Sequence, residues 1–336
     1  PDTEQPTLAS SFNVQAYDGT ATSQTIDNGF KTGLLFARCL NVAHHWGIHD
    51  IVRGPGKWLI SNGTNADQSG SYGIEEFGEN STTLYGNFSP TNSNYLSGKY
   101  VSYFWKADDN EPTINTNGSI NSLVSANANA GFSIVKYTGT FSAATVGHGL
   151  SSAPELVIVK NTDSTTNWWV WHTSLGDGTK YLKLNGSDAV ASVSSIWNST
   201  VPTSTVFSVA NDGGSNGSGN EIIAYCFHSV AGYSKIGSYA GNGTTQTINV
   251  GFQPDFVMIK AYTNSTAYTS WTIIDSVRHV SSSDTNPVSP NLNPVEVKDI
   301  SNTSPSPEPL PLNPSPTAKF AYTGLVSLLL TCLTLS

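Results

Sequence analysis

Few residues in this chain are of types and spacings that do chemistry. His44, His45 and His49 lie close in sequence, and imidazole is a ready zinc ligand. The run His45-Trp46-Gly47-Ile48-His49 aligns with Asn167–Trp171 later in the chain and reads as a strand. On a strand, His45 and His49 share a face but stand about 13 Å apart, too far to hold one ion, so no metal site is assigned. Glu75, Glu76 and Glu79 are an acidic cluster. Glycoside hydrolysis needs two placed carboxylates, but the matching later stretch has no counterpart, and the plain reading is a solvated loop. Asn211–Glu221 mixes oxygen donors with glycines yet lacks the acidic density of a calcium loop, and it reads as a hairpin connection. No phosphate-cradling loop with a lysine, Gly-x-Ser-x-Gly elbow or Cys-x-x-Cys pair occurs. No catalytic residue and no cofactor is assigned, and the chain reads as non-enzymatic.

One feature suits binding. Trp168 aligns with Trp46 and Trp271, and Val170 with Ile48 and Ile273. Those positions are apolar each time and belong to a core. Trp169 stands opposite Gly47 and Thr272, and Trp171 opposite His49 and Ile274. Alternate strand residues point to opposite faces, so Trp169 and Trp171 share the other face. Two exposed neighbouring indoles suit stacking on a sugar or burial in a protein interface. They are the candidate ligand-binding residues.

The elements that hold them are legible in composition and repetition. Of 336 residues, 12% are charged while Gly, Asn, Ser and Thr abound, which disfavours long helices. Eight Trp, 14 Tyr and 13 Phe are too many core formers for a disordered chain. The net charge of −9 and the absence of a basic patch argue against nucleic-acid binding. Cys39, Cys226 and Cys332 are odd in number and far apart, so Cys39 and Cys226 read as small buried residues rather than a disulfide framework. The chain starts at Pro1 with no apolar leader, and reads as a fragment without a signal peptide.

Internal matches set the organisation. Phe12–Thr20 matches Phe132–Thr140, with a third copy at Ser238–Gly243. Pro154–Lys160 matches Pro254–Lys260, and Lys57-Trp58-Leu59 with Asn62 matches Lys180-Tyr181-Leu182 with Asn185. Tyr100–Lys106 matches Ile222–His228, and Asp50–Arg53 matches Asp275–Arg278. Apolar runs of five to seven residues rich in Val, Ile and aromatics, separated by Gly, Asn, Ser and Pro, are strand signals at sandwich spacing. The expected fold is all-β: tandem antiparallel β-sandwich repeats, jelly-roll-like, spanning 12–107, 131–231 and a partial 232–278. Residues 1–11 are a fragment end, and 108–130 a polar linker.

After Arg278 the pattern stops, and a Pro-rich stretch leads to the Ser- and Leu-rich end Gly324–Ser336. Val326–Leu335 is shorter than the roughly 20 residues a membrane helix needs, and a lipid-anchor signal fits loosely. The preferred reading is a disordered tail over 279–336, produced by a change of reading frame near position 279.

The stretches FSIVKYTGT, APELVIVKN, KYLKLN, AYCFHSVAGYSKIGSYAGNG and VRGPGKWL resemble a repeat domain of large structural proteins of marine bacteriophages, found in tail-fibre-like proteins. The resemblance covers about 10–278. It implies a virion component that assembles with other virion proteins, for which trimers are common, and it brings no catalytic residue. The Leu34–Leu40 stretch departs from it by lacking the Pro-acid-apolar opening of the other copies. The expected function is a structural or adhesive tail-fibre segment that touches host surface polysaccharide through Trp169 and Trp171. The alternatives are a spacer with those indoles buried, and a polysaccharide-degrading tail enzyme.

Overall fold

The computed structural model describes residues 11–86, 94–242, 245–263, 270–278, 287–292, 317–321 and 327–333. The first block contains β1 (Phe12–Asp18), β2 (Gln24–Asp27), β3 (Leu34–Cys39), β4 (Gly47–Asp50), β5 (Lys57–Ile60), β6 (Gln68–Ser69), β7 (Ile74–Phe77), β8 (Ser81–Leu84) and β9 (Lys99–Trp105). The second contains β10 (Thr113–Asn115), β11 (Ser122–Asn127), β12 (Phe132–Thr138), β13 (Ala144–Gly147), β14 (Leu156–Asn161), β15 (Trp169–His172), β16 (Lys180–Lys183) and β17 (Ala191–Ser192). It continues through the one-turn helices α1 (Ser194–Trp197) and α2 (Gly213–Asn216), which flank β18 (Val206–Val209), to β19 (Glu221–Phe227). The third contains β20 (Ser234–Ala240), β21 (Thr245–Asn249), β22 (Phe256–Ala261), β23 (Thr272–Asp275), β24 (Thr317–Ala321) and β25 (Ser327–Leu333).

Among the described residues each block has one large sheet and one small one. The large sheets run β1-β9-β3-β4-β5-β6, β10-β11-β12-β19-β14-β15-β16-β17 and β20-β25-β22-β23. The small ones are β2-β8-β7, β13-β18 and β21-β24. In every block the last strand lies between the strand before the small-sheet crossing (β1, β12, β20) and the strand after it (β3, β14, β22), and all named pairs are antiparallel. The nested pairing is jelly-roll-like, whereas the meander β3-β4-β5-β6 is not.

The strands β3, β14 and β22 explain why LLFARC, LVIVKN and FVMIKA are nearly unbroken apolar runs. Each is buried at all six positions, as expected of strands covered on both faces. One face belongs to the block's own core: Leu35 and Ala37 pack with Leu84 and Phe104. Likewise Val157 and Val159 pack with Phe207 and Val209, and Val257 and Ile259 with Phe252. The alternate residues Leu34, Phe36, Leu156, Ile158, Phe256 and Met258 join one core shared by all three blocks. Burying each such side chain is worth about 1.5–3 kcal/mol. The aberrant opening of Leu34–Leu40 therefore leaves the strand itself in the common register.

Two expectations are corrected. The stretch 108–130 is not a bare linker, because β11 pairs along β12 and β10 along β11, extending the second sheet to eight strands. Ser122, Val124 and Ser125 are buried there; small residues let the strand lie close without an apolar run to announce it. Nor does the fold end at Arg278. Val288 is fully buried and pairs with Ile273, while β24 and β25 pair with β21, β20 and β22. Backbone pairing does not require the aromatic signature of the earlier strands, so the proline-rich sequence concealed it.

Candidate functional site

Trp169 and Trp171 share a face, but it is the inner face of the second block. Trp171 is 4% exposed and packs in the core with Trp197 and Phe207. Its indole N–H donates to the Asp177 carbonyl at 3.1 Å. Trp169 is half-buried, edge-on to Tyr181 at 5.0 Å, and its N–H donates to Asp212 Oδ1 at 2.8 Å. The same oxygen accepts from the Gly214 and Ser215 amides, capping α2. A Cβ on Gly214 would stand 2.4 Å from Trp169 Nε1, so glycine admits the indole. The expected exposure is thereby corrected: β13, β18 and the helical turns form a second layer over this face. Asn211–Glu221, read as a hairpin connection, holds the capped turn α2.

The remaining flagged groups stay apart. His49 is buried, with Nδ1 3.0 Å from the Lys57 carbonyl oxygen, while His45 Nδ1 faces the Asn62 amide at 3.0 Å. Burial pushes the His49 pKa down to about 4. Glu75, Glu76 and Glu79 are exposed. Among the described residues no group of three or more His, Cys, Asp or Glu is placed to hold a metal ion. Cys39 and Cys226 are buried free thiols.

The residues that the structure does bring together are Trp46, Trp168 and Trp271. Each is at most 2% exposed, and each carries the same pair of hydrogen bonds. The backbone N–H donates to an asparagine Oδ1 of its own block: Asn62 at 3.2 Å, Asn185 at 3.0 Å and Asn291 at 3.0 Å. The indole N–H donates to a main-chain carbonyl of another block. Trp168 of the second reaches Ile60 of the first, Trp271 of the third reaches Lys183 of the second, and Trp46 of the first reaches Ser289 of the third, each at 2.9 Å. First, second and third blocks thus close a cycle. Because tryptophan offers a large apolar body and one donor, it fills the shared core while satisfying a carbonyl that would otherwise be buried unpaired.

Charged corners reinforce the cycle. Asp50 holds the Arg53 guanidinium at 2.5 Å and accepts from the Tyr225 hydroxyl of the second block at 2.7 Å. Asp275 holds Arg278 Nε at 2.8 Å and accepts from the Tyr103 hydroxyl of the first block at 2.8 Å. Burial, and Asp50 beside it, hold the Tyr225 hydroxyl far above its ordinary pKa, so it remains a donor. Both tyrosines also stack on a tryptophan, Tyr103 on Trp46 and Tyr225 on Trp168. Lys160, fully buried, has four oxygens within reach of its three N–H donors: the carbonyls of Asn161 and Ser164, Thr166 Oγ1 and, across the junction, the Thr64 carbonyl. Lys260, at the same register, reaches the Ser187 carbonyl of the second block. Burial pushes each lysine down to about 8 against the pull of Asp67 and Asp188 respectively, leaving both charged at neutral pH.

Sequence reasoning noticed most of these residues as matches between copies without seeing that they meet. The Asn62–Asn185 and Asp50–Asp275 matches were the signal for cap and corner. Asn291 was missed because it lies past Arg278, in the stretch assigned to a shifted reading frame.

The comparisons agree with that correction and add no activity. No curated protein matches the chain. A family model described as Domain of unknown function (DUF7483) matches residues 8–304, which carries the match well beyond position 279. The chain belongs to this family of domains of unknown function.

Proposed function

We propose that this chain is a non-enzymatic structural segment built as a tandem of three related sandwich modules, and that it serves as a rigid spacer in a virion appendage. The closed cycle of indole-to-carbonyl bonds through Trp46, Trp168 and Trp271 carries the reading. It uses the most strongly matched tryptophans for cohesion and commits them to contacts inside the chain. The segment β1-β9-β3-β4, β12-β19-β14-β15 and β20-β25-β22-β23, common in order to the three large sheets, supports the tandem origin. The pair first proposed for glycan contact supports a spacer over an adhesin, since both indole N–H groups are spent on Asp177 and Asp212. The buried carboxylates Asp50 and Asp275 are spent on arginines rather than set across a cleft, which favours the spacer over a polysaccharide-degrading enzyme. The virion assignment rests on the resemblance of the sequence motifs alone.

The test is binding of the whole chain to a panel of bacterial surface polysaccharides, beside Trp169→Ala/Trp171→Ala. The spacer reading expects no saturable binding and a destabilised double variant. Saturable binding lost in a folded double variant would restore the adhesin. Immunogold labelling of purified phage particles with antibody against the chain tests the location; unlabelled appendages would reject it.

A further inference from the structure

We propose that the ring of three blocks has one seam, between the second and third, and that it opens there first. The inference takes from the tandem reading which positions correspond, and owes nothing to the virion role.

Two junctions carry a complete charged corner. First meets second through Asp50, Arg53 and Tyr225, and third meets first through Asp275, Arg278 and Tyr103. At the remaining junction the same strand-end position of the second block holds His172, and the position three residues on holds Leu175 instead of arginine. His172 is buried, Nδ1 accepts from the Ser174 amide, and Nε2 has no hydrogen-bond partner among the described residues. The register of the last strands completes the comparison. Tyr103 pairs with Val14 and Phe36, Tyr225 with Ile134 and Ile158, and the residue in that place on β25, between Ile236 and Met258, is Thr331. Carboxylate, guanidinium and phenol are all replaced at one corner of three.

The backbone contacts set the first-to-second junction apart from the other two; among the described residues the third-to-first junction has no backbone–backbone hydrogen bond and is held by its corner and by side-chain bonds. First and second are joined by Asp67 N–H to the Thr162 carbonyl at 2.6 Å and Thr166 N–H to the Thr64 carbonyl at 3.0 Å, whereas second and third share Val190 N–H to the Tyr262 carbonyl at 2.8 Å. Loss of one seam turns the ring into an arc with the first block at its centre. The second and third blocks then part along this junction, joined by the short chain connection from Phe227 to Ser234, while each stays attached to the first.

Hydrogen exchange of the full chain at neutral pH tests this. The Val190 amide should exchange at least about tenfold faster than those of Asp67 and Thr166, the difference that one buried bond's worth of stability makes. Tyr225→Phe, which removes the first-to-second corner, should bring Asp67 and Thr166 toward the rate of Val190. Equal protection in the parent chain, or no response to Tyr225→Phe, overturns the seam and leaves the tandem reading standing. Fast exchange at both junctions in the parent chain would instead overturn the interlock itself, and the seam with it.

Discussion

Trp168 and Trp171 sit three residues apart on one strand line and serve two different cores. Trp171 packs against Phe207, Val209 and Trp197, all from the second block. Trp168 packs in a core with Phe12, Trp105, Phe256 and Trp271, drawn from the first and third blocks. The odd face of the strand makes a block, and the even face makes the assembly of blocks. The difference lies less in hydrophobicity than in what the polar atoms do. The Trp171 N–H closes a loop six residues away, while the Trp168 N–H closes a contact 108 residues away.

Truncation should separate the two cores most widely. Trp168→Ala removes a fully buried indole and leaves the Ile60 carbonyl unpaired, so it should cost about 3–5 kcal/mol for the cavity and about 1–3 kcal/mol more for the orphaned acceptor. Chemical denaturation should show the loss, and exchange should rise at the first-to-second junction amides of Asp67 and Thr166. Trp171→Ala should cost about 3–5 kcal/mol, with the added exchange confined to β13, β18 and their neighbours. The comparison breaks if both variants loosen the same amides.

Histidines extend the contrast to pH. His49 lies on the own-core face of β4, and a Cβ on Gly73 would fall 1.9 Å from its ring, which shows how tightly glycine lets it pack. His172 lies on the shared face of β15, beyond Trp168 and Val170. Burial lowers both to about 4 from an ordinary 6.5. The folded state therefore favours the neutral ring, so the stability these residues contribute is whole above pH 6.5 and drains away as pH falls toward 4. Each shift sets an upper bound of about 3 kcal/mol. Urea midpoints across that window should fall with pH. His49→Asn should flatten part of the slope through the first block, and His172→Asn another part through the second-to-third junction. An unchanged slope in both variants would place the acid sensitivity elsewhere.

Much of this architecture was legible in the sequence because the strands covered on both faces are apolar along their whole length. Leu156–Lys160 and Phe256–Lys260 announced themselves, and their match predicted equivalent strands. Alternation told which residues share a face with Trp171; it could not tell what covers that face. The covering layer comes from Val206–Val209 and from helical turns too short to leave a period. The strand Ser122–Asn127 was missed because Ser, Ala and Asn carry no strand pattern. Asn291 and Val288 were missed because prolines on either side disguised a cap and a pairing residue already seen at Asn62 and Asn185.

The smallest change removes the two N–H groups while keeping an aromatic ring at each position, with a similar loss of ring volume in both. Trp168→Phe and Trp169→Phe each remove one indole donor from adjacent residues. At Trp168 the bereaved acceptor is the Ile60 carbonyl in a core closed to water, and an unpaired buried acceptor costs about 1–3 kcal/mol. At Trp169 the acceptor is Asp212 Oδ1, which keeps the Gly214 and Ser215 amides. The ring there is half-buried, so water can reach the vacated side. The expected loss is about 0.5–1.5 kcal/mol, the net worth of one ordinary bond. Denaturation midpoints of the two variants, measured side by side, should therefore fall further for Trp168→Phe. Equal shifts would mean that the indole bond between blocks is no more consequential than one within a block, and that shape alone holds the three together.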